Sequence, residues 1–122
     1  MTFAIITRTH KIDTIQILKD NIKKVFGQKT NYIHYIICDL TGGVSKEEFK
    51  KFEDEKTALW FVDETTKRDK FCAYNIDDLV RSLRWNEDYW IYILDHDNLL
   101  KSNFPSLENF CKKEYPVIVF NI

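Results

Sequence analysis

The chain has 122 residues, with 18 Lys and Arg set against 19 Asp and Glu for a net charge of −1. That length supports one domain, residues 1–122, burying roughly two-thirds of its unfolded surface without a disulfide or metal staple. The interleaved charges exclude the basic footprint of a nucleic-acid-binding protein and the polybasic run that anionic membranes attract.

Phe3-Ala4-Ile5-Ile6 reads as a short strand, closed by the polar segment Thr7-Arg8-Thr9-His10. With no basic residue before it and Thr7 directly after, this stretch is expected to be neither a signal peptide nor a membrane span. Asp13 can cap a helix whose apolar positions Ile15, Leu18, Ile22, Val25 and Phe26 recur at helical spacing, and Gly27 closes it. Residues 32–38 form the second strand, with Asp39 at its end before Thr41-Gly42-Gly43. A strand, helix and strand in this order make a βαβ unit.

Ser45 and Glu48 have capping-box spacing, which predicts a short charged helix from 46 to about 54. A third strand covers 58–62 and again ends in acids, Asp63 and Glu64. After a polar, basic loop at 65–70, Asn75 can cap a helix with Ile76, Leu79, Val80 and Leu83 on its inner stripe. Then comes Tyr89-Trp90-Ile91-Tyr92-Ile93-Leu94, an apolar run too short for a buried helix. It reads as a strand covered on both faces, as in a parallel sheet. Pro105 starts a last helix with Leu107, Phe110 and Cys111 inside, and residues 116–122 supply a final strand. Cys38, Cys72 and Cys111 form no Cys-x-x-Cys pair and read as reduced thiols.

Alternating strands and helices imply an α/β fold: three layers around a mostly parallel, doubly wound sheet of order 3-2-1-4 plus the final strand. In such sheets ligands bind at the carboxyl edge where the strand order reverses, here between the ends of strands one and four. Strand four ends in Asp95-His96-Asp97-Asn98. Two carboxylates one residue apart project to the same side of an extended chain and offer hard oxygen ligands to Mg²⁺ or Mn²⁺. Asp and Asn after a strand are also ordinary turn formers and caps, so the triplet gains meaning from its position opposite Thr7-Arg8-Thr9.

Taken together, Ile6-Thr7-Arg8-Thr9, the strand ending in Asp39, and Ile91-Tyr92-Ile93-Leu94-Asp95-His96-Asp97-Asn98 resemble the nucleotide-binding half of GT-A-fold glycosyltransferases, of the family 2 kind. The resemblance spans nearly the whole chain and implies a Rossmann-like core that binds a nucleotide-diphosphate sugar, UDP-linked above all. It further implies that Thr7, Arg8, Thr9 and Asp39 hold the nucleoside, that Asp97 binds Mn²⁺ or Mg²⁺, and that Asp95 supports the metal or the ribose. His96 reads as a spacer, and no residue stands out as catalytic base, His10 and His34 included. The acceptor is not identified, a saccharide being one candidate. Family members continue well past the metal motif, whereas this sequence ends about two dozen residues after Asp97. The expectation is a piece of a longer protein, a degenerate binding domain, or a minimal protein whose site a homo-oligomer or a partner chain completes, and the expected location is the cytoplasm, free or at the membrane periphery. The alternative function is a non-catalytic nucleotide-binding or protein-interaction module on the same fold. A receiver-like signalling domain fits poorly, because Thr7-Arg8-Thr9 stands where that fold needs an acid cluster.

Overall fold

The computed structural model describes residues 2–27, 31–83 and 89–100. In chain order these form β1 (Thr2–Thr9), α1 (Ile15–Phe26), β2 (Tyr32–Asp39), a 3₁₀ turn (Leu40–Gly42), α2 (Lys46–Lys50), β3 (Thr57–Val62), α3 (Ala73–Leu83) and β4 (Tyr89–Ile93). The four strands make one sheet in the order β3-β2-β1-β4, with every neighbouring pair parallel. The α/β architecture and the strand order expected from the sequence are therefore present. The final strand at 116–122, the helix at 105–111 and Cys111 lie outside the described residues.

Alternation along the strands sends side chains to two cores. Phe3 and Ile5 of β1 pack with Leu18, Ile22 and Phe26 of α1, and Trp90 and Tyr92 of β4 join them. Ile36 and Cys38 of β2 meet Ile15 of α1 and Phe49 of α2, so both helices cover the same face. On the other face Ala4, Ile6, Ile37 and Val62 are covered by Cys72 and by Leu79 and Leu83 of α3. The predicted stripes of α1 and α3 are the ones used. No helix among the described residues is long and apolar enough to cross a membrane.

Several local expectations are corrected. The first strand does not stop at Ile6: pairing with β2 continues through Thr7↔Ile36, Arg8↔Ile37 and Thr9↔Cys38, because each polar side chain finds a partner. Asp13 does not cap α1; Thr14 holds that position and makes no side-chain bond there. Asn75 does not cap α3 either. The Asp69 carboxylate accepts the N–H groups of Ala73 and Tyr74, while buried Asn75 ties the preceding loop by accepting from Arg68 N–H and donating to Thr66 O. The Ser45 cap is present, but α2 ends at Lys50, where tight bonds from Phe52 N–H to Phe49 O and Glu53 N–H to Lys50 O turn the chain toward β3. Finally, among the described residues β4 is covered on one face only. Ile91 and Ile93 are 38% and 56% exposed, because the core under α3 is built from β1, β2 and β3 alone among the described strands.

One polar pair lies inside the sheet. Thr7 Oγ1 and His34 Nε2 are 2.8 Å apart, and both residues are buried. Burial, aided by the charge of Lys19 and opposed by Asp54, lowers the His34 imidazole from 6.5 to about 4. Below pH 6.5 the unfolded chain takes up a proton that the folded chain refuses until about pH 4. Stability from this group is thus complete above pH 6.5 and is lost as pH falls toward 4, by about 3 kcal/mol in all. Urea unfolding at pH 7, 6, 5 and 4 should show this decline, and His34→Gln should flatten it. An equal slope in the variant would assign the decline to other groups.

Candidate functional site

The strand order places the carboxyl ends of β1 and β4 side by side, at the point where the winding of the sheet reverses. Their pairing reaches one residue past β4, since Leu94 N–H donates to Ile6 O at 2.9 Å. Beyond it the two chains meet through imidazoles: the rings of His10 and His96 stand edge to face, with centroids 6.3 Å apart. Each keeps a buried Nδ1 without a partner among the described residues. His10 is held below its ordinary pKa by burial first, then by the charges of Arg8 and Lys11. Gly42 completes the packing, because a Cβ there would come within 2.8 Å of His10 Cβ. Any larger residue would push His10 out of place.

Beside this contact lies a buried carboxylate. Asp39 is 1% exposed, and its Oδ2 receives Lys67 Nζ at 2.7 Å and Arg8 at 3.3 Å. Its Oδ1 accepts both the backbone N–H and the hydroxyl of Thr41, at 3.0 and 2.6 Å. Burial alone would raise this carboxyl, but the bonds from Lys67 and Thr41 outweigh it and hold it at about 2. The thiol of Cys72 points at Asp39 Oδ2 from 3.9 Å. Cys72 reaches it with φ of 60°, a left-handed conformation that costs a non-glycine residue roughly 1–2 kcal/mol. Burial pushes this thiol pKa up, so it serves as a neutral packing group. Arg8 Nε is itself buried and without a partner among the described residues.

The residues expected to form the site are distributed as follows. Arg8 and Asp39 are brought together and face the α3 side. Thr7 and Thr9 turn to the opposite face and are buried, Thr7 against His34 and Thr9 in reciprocal bonds with the backbone of Lys11. Asp95 and Asp97 are exposed, and neither carboxylate has a hydrogen-bond or ion-pair partner among the described residues. His96, expected to be a spacer, is the member of the triplet that packs inward. No group of three or more His, Cys, Asp or Glu among the described residues is arranged to hold a metal ion. Lys67, Thr41 and Cys72 were missed. Only Thr41 had a local signal, since an Asp two residues before a Thr is a common turn; the other two arrive through the loop between β3 and α3.

Compared with protein-family models, curated proteins and solved structures, the chain matches none.

Asp39→Asn would leave Arg8 and Lys67 facing a neutral amide in a buried setting. It should lower stability by about 3 kcal/mol, the usual cost of breaking a buried pair from one side. Lys67→Met should cost clearly less, because Lys67 is partly exposed and Arg8 remains beside Asp39. Denaturant titrations of both variants at pH 7 test the order; a costlier Lys67→Met would show that Lys67, not Asp39, organises the cluster.

Proposed function

We propose that this chain binds a nucleoside diphosphate along the carboxyl edge of its sheet and is the donor-binding domain of a metal-dependent glycosyltransferase. The observation that carries the reading is the strand order β3-β2-β1-β4, with His10 of the segment after β1 in contact with His96 of the segment after β4. That contact puts the Arg8 and Asp39 cluster and the Asp95-His96-Asp97 triplet on one rim. Arg8 also keeps a buried N–H donor unspent there.

The donor set suits a hard divalent cation. Mg²⁺ is usually held by one or two protein carboxylates, with waters and substrate phosphates filling the other positions, so a site of three protein ligands is not required. Asp97 would hold the ion and Asp95 support it. Bound there, the metal would supply Lewis-acid stabilisation of the departing diphosphate. The chain's own part is positional and electrostatic. Asp39 and Thr41 fix Arg8 and Lys67, and Arg8 offers its charge and its free N–H to the phosphates.

A second reading, a protein-interaction module on the same fold, draws on the exposed Ile91 and Ile93, which form an apolar strip along β4. The two readings part in a titration. UDP should bind with Mn²⁺ present and at least tenfold more weakly with chelator, and Asp97→Asn should lose most of the metal-dependent gain while its melting temperature stays unchanged. Calorimetry with UDP and GDP measures this. Equal affinity with and without metal would move the nucleotide to a different site, and no binding of either nucleotide would favour the interaction module.

A further inference from the structure

A cavity of about 570 Å³ opens under α1, toward the amino ends of β2 and β3 and away from the carboxyl edge. It is within the range of small-molecule pockets, roughly 300–1,000 Å³. It exists because β3 begins only at Thr57, level with His34, which leaves the start of β2 without a neighbour on that side. The turn before β3 and the outer flank of α1 form its walls.

At this cavity lies His34, 1% exposed, whose Nδ1 is buried and has no partner among the described residues. The other ring nitrogen is held by Thr7 Oγ1 at 2.8 Å. Two tautomers are conceivable, and counting donors separates them. If Nε2 carried the proton, the buried Thr7 hydroxyl would have no acceptor for its own hydrogen, and Nδ1 would also be unmet. If instead Thr7 donates to Nε2, the hydroxyl is satisfied and the single unmet group is an Nδ1–H donor. The second arrangement buries fewer unpaired groups and is favoured by the cost of each, about 1–3 kcal/mol.

Several charges on the wall are already spent. Lys19 binds Asp54 at 2.7 Å and Phe52 O at 2.6 Å, and Gln16 donates to Asp20 at 2.9 Å. Lys23 has no side-chain partner among the described residues, and Lys56 only rests over the Tyr32 ring, 5.3 Å from its centroid. The groups left are thus an imidazole N–H and two ammonium groups, against the carboxylates of Glu55 and of Asp20, whose charge the neutral Gln16 amide does not cancel. The wall is balanced in charge, and the inward-lying N–H donor is what favours an anion.

We propose that this cavity is a second ligand site, built for a small oxyanion such as a carboxylate or phosphate group. His34 Nδ1–H donates to it from within, and Lys23 and Lys56 supply charge from the walls. The site is independent of the nucleotide reading, since it shares no residue with the carboxyl edge.

The test is long-range ¹H–¹⁵N spectroscopy of the His34 ring in the full chain at pH 7. Succinate and inorganic phosphate are titrated separately, each against sodium chloride at matched ionic strength. The proposal expects the Nδ1-protonated tautomer and a saturable shift with at least one anion, at a dissociation constant of about 1 mM or tighter. Response to succinate alone identifies a carboxylate ligand, and response to phosphate alone a phosphate ligand. The double variant Lys23→Gln, Lys56→Gln should weaken binding at least tenfold with an unchanged melting temperature. An Nε2-protonated ring, no response beyond that of chloride, or a response that survives in the double variant would each overturn the proposal and leave an ordinary hydrated cavity.

Discussion

A carboxylate almost wholly removed from water must be paid for with cations and donors, and at Asp39 this requirement organises one end of the molecule. Its two oxygens receive bonds from three segments: Arg8 at the end of β1, Thr41 in the 3₁₀ turn and Lys67 in the loop before α3. Arg8 is in β1 itself and the other two segments follow β2 and β3, so a single buried charge joins the carboxyl ends of β1, β2 and β3. The hydrogen bonds hold the carboxyl at about 2, so the cluster stays charged throughout the physiological range. Cys72 accepts a left-handed backbone to pack against it. Strain of that kind persists where surrounding contacts over-determine it.

The opposite face of the same strands solves a related problem by neutrality. Thr7 is one residue before Arg8, and alternation turns it into the core, where a charge would be ruinous. His34 is buried beside it and remains uncharged near neutral pH because burial disfavours its cation. The polar run Thr7-Arg8-Thr9 is therefore not a loop after a strand. It is strand, with its middle residue facing one ionic cluster and its outer residues hydrogen-bonded on the other side. This also explains how β1 extends three residues past its apolar stretch.

Most of the fold was legible because period and punctuation agree. The stripe from Ile15 to Phe26, the Gly27 stop and the Ser45 cap carry their own local signals, and parallel order follows from strands separated by helices. For β4, a continuous apolar run states that a strand can be buried on both faces; the core under α3 does not include it, and residues 101–122 lie outside the described ones. The caps of α1 and α3 failed, since Asp13 and Asn75 are suitable residue types in the wrong register. At the site, Arg8 and Asp39 were legible as polar ends of neighbouring strands. Lys67 was not, because its partner lies 28 residues away and nothing in the loop's own composition distinguishes it from Arg68 or Lys70.

The charge balance along the rim bears on what the proposed site requires. Arg8 and Lys67 are the cations nearest to Asp39, and between them they face one buried carboxylate, which leaves a single positive charge in that cluster. Two register steps beyond the Ile6↔Ile93 pair stand Arg8 on one chain and Asp95 on the other, and Asp97 follows. With these two acids and Lys11, whose charge acts on His10, included, the rim carries three positive and three negative charges before any ligand arrives. A diphosphate brought to it adds at least two further negative charges in a partly desolvated crevice, where repulsion is stronger than in water. Arg8 alone does not reverse that sign. In the proposed site a divalent cation on Asp95 and Asp97 would do so, and metal and diphosphate would then bind with positive coupling, each raising the affinity of the other by the same factor.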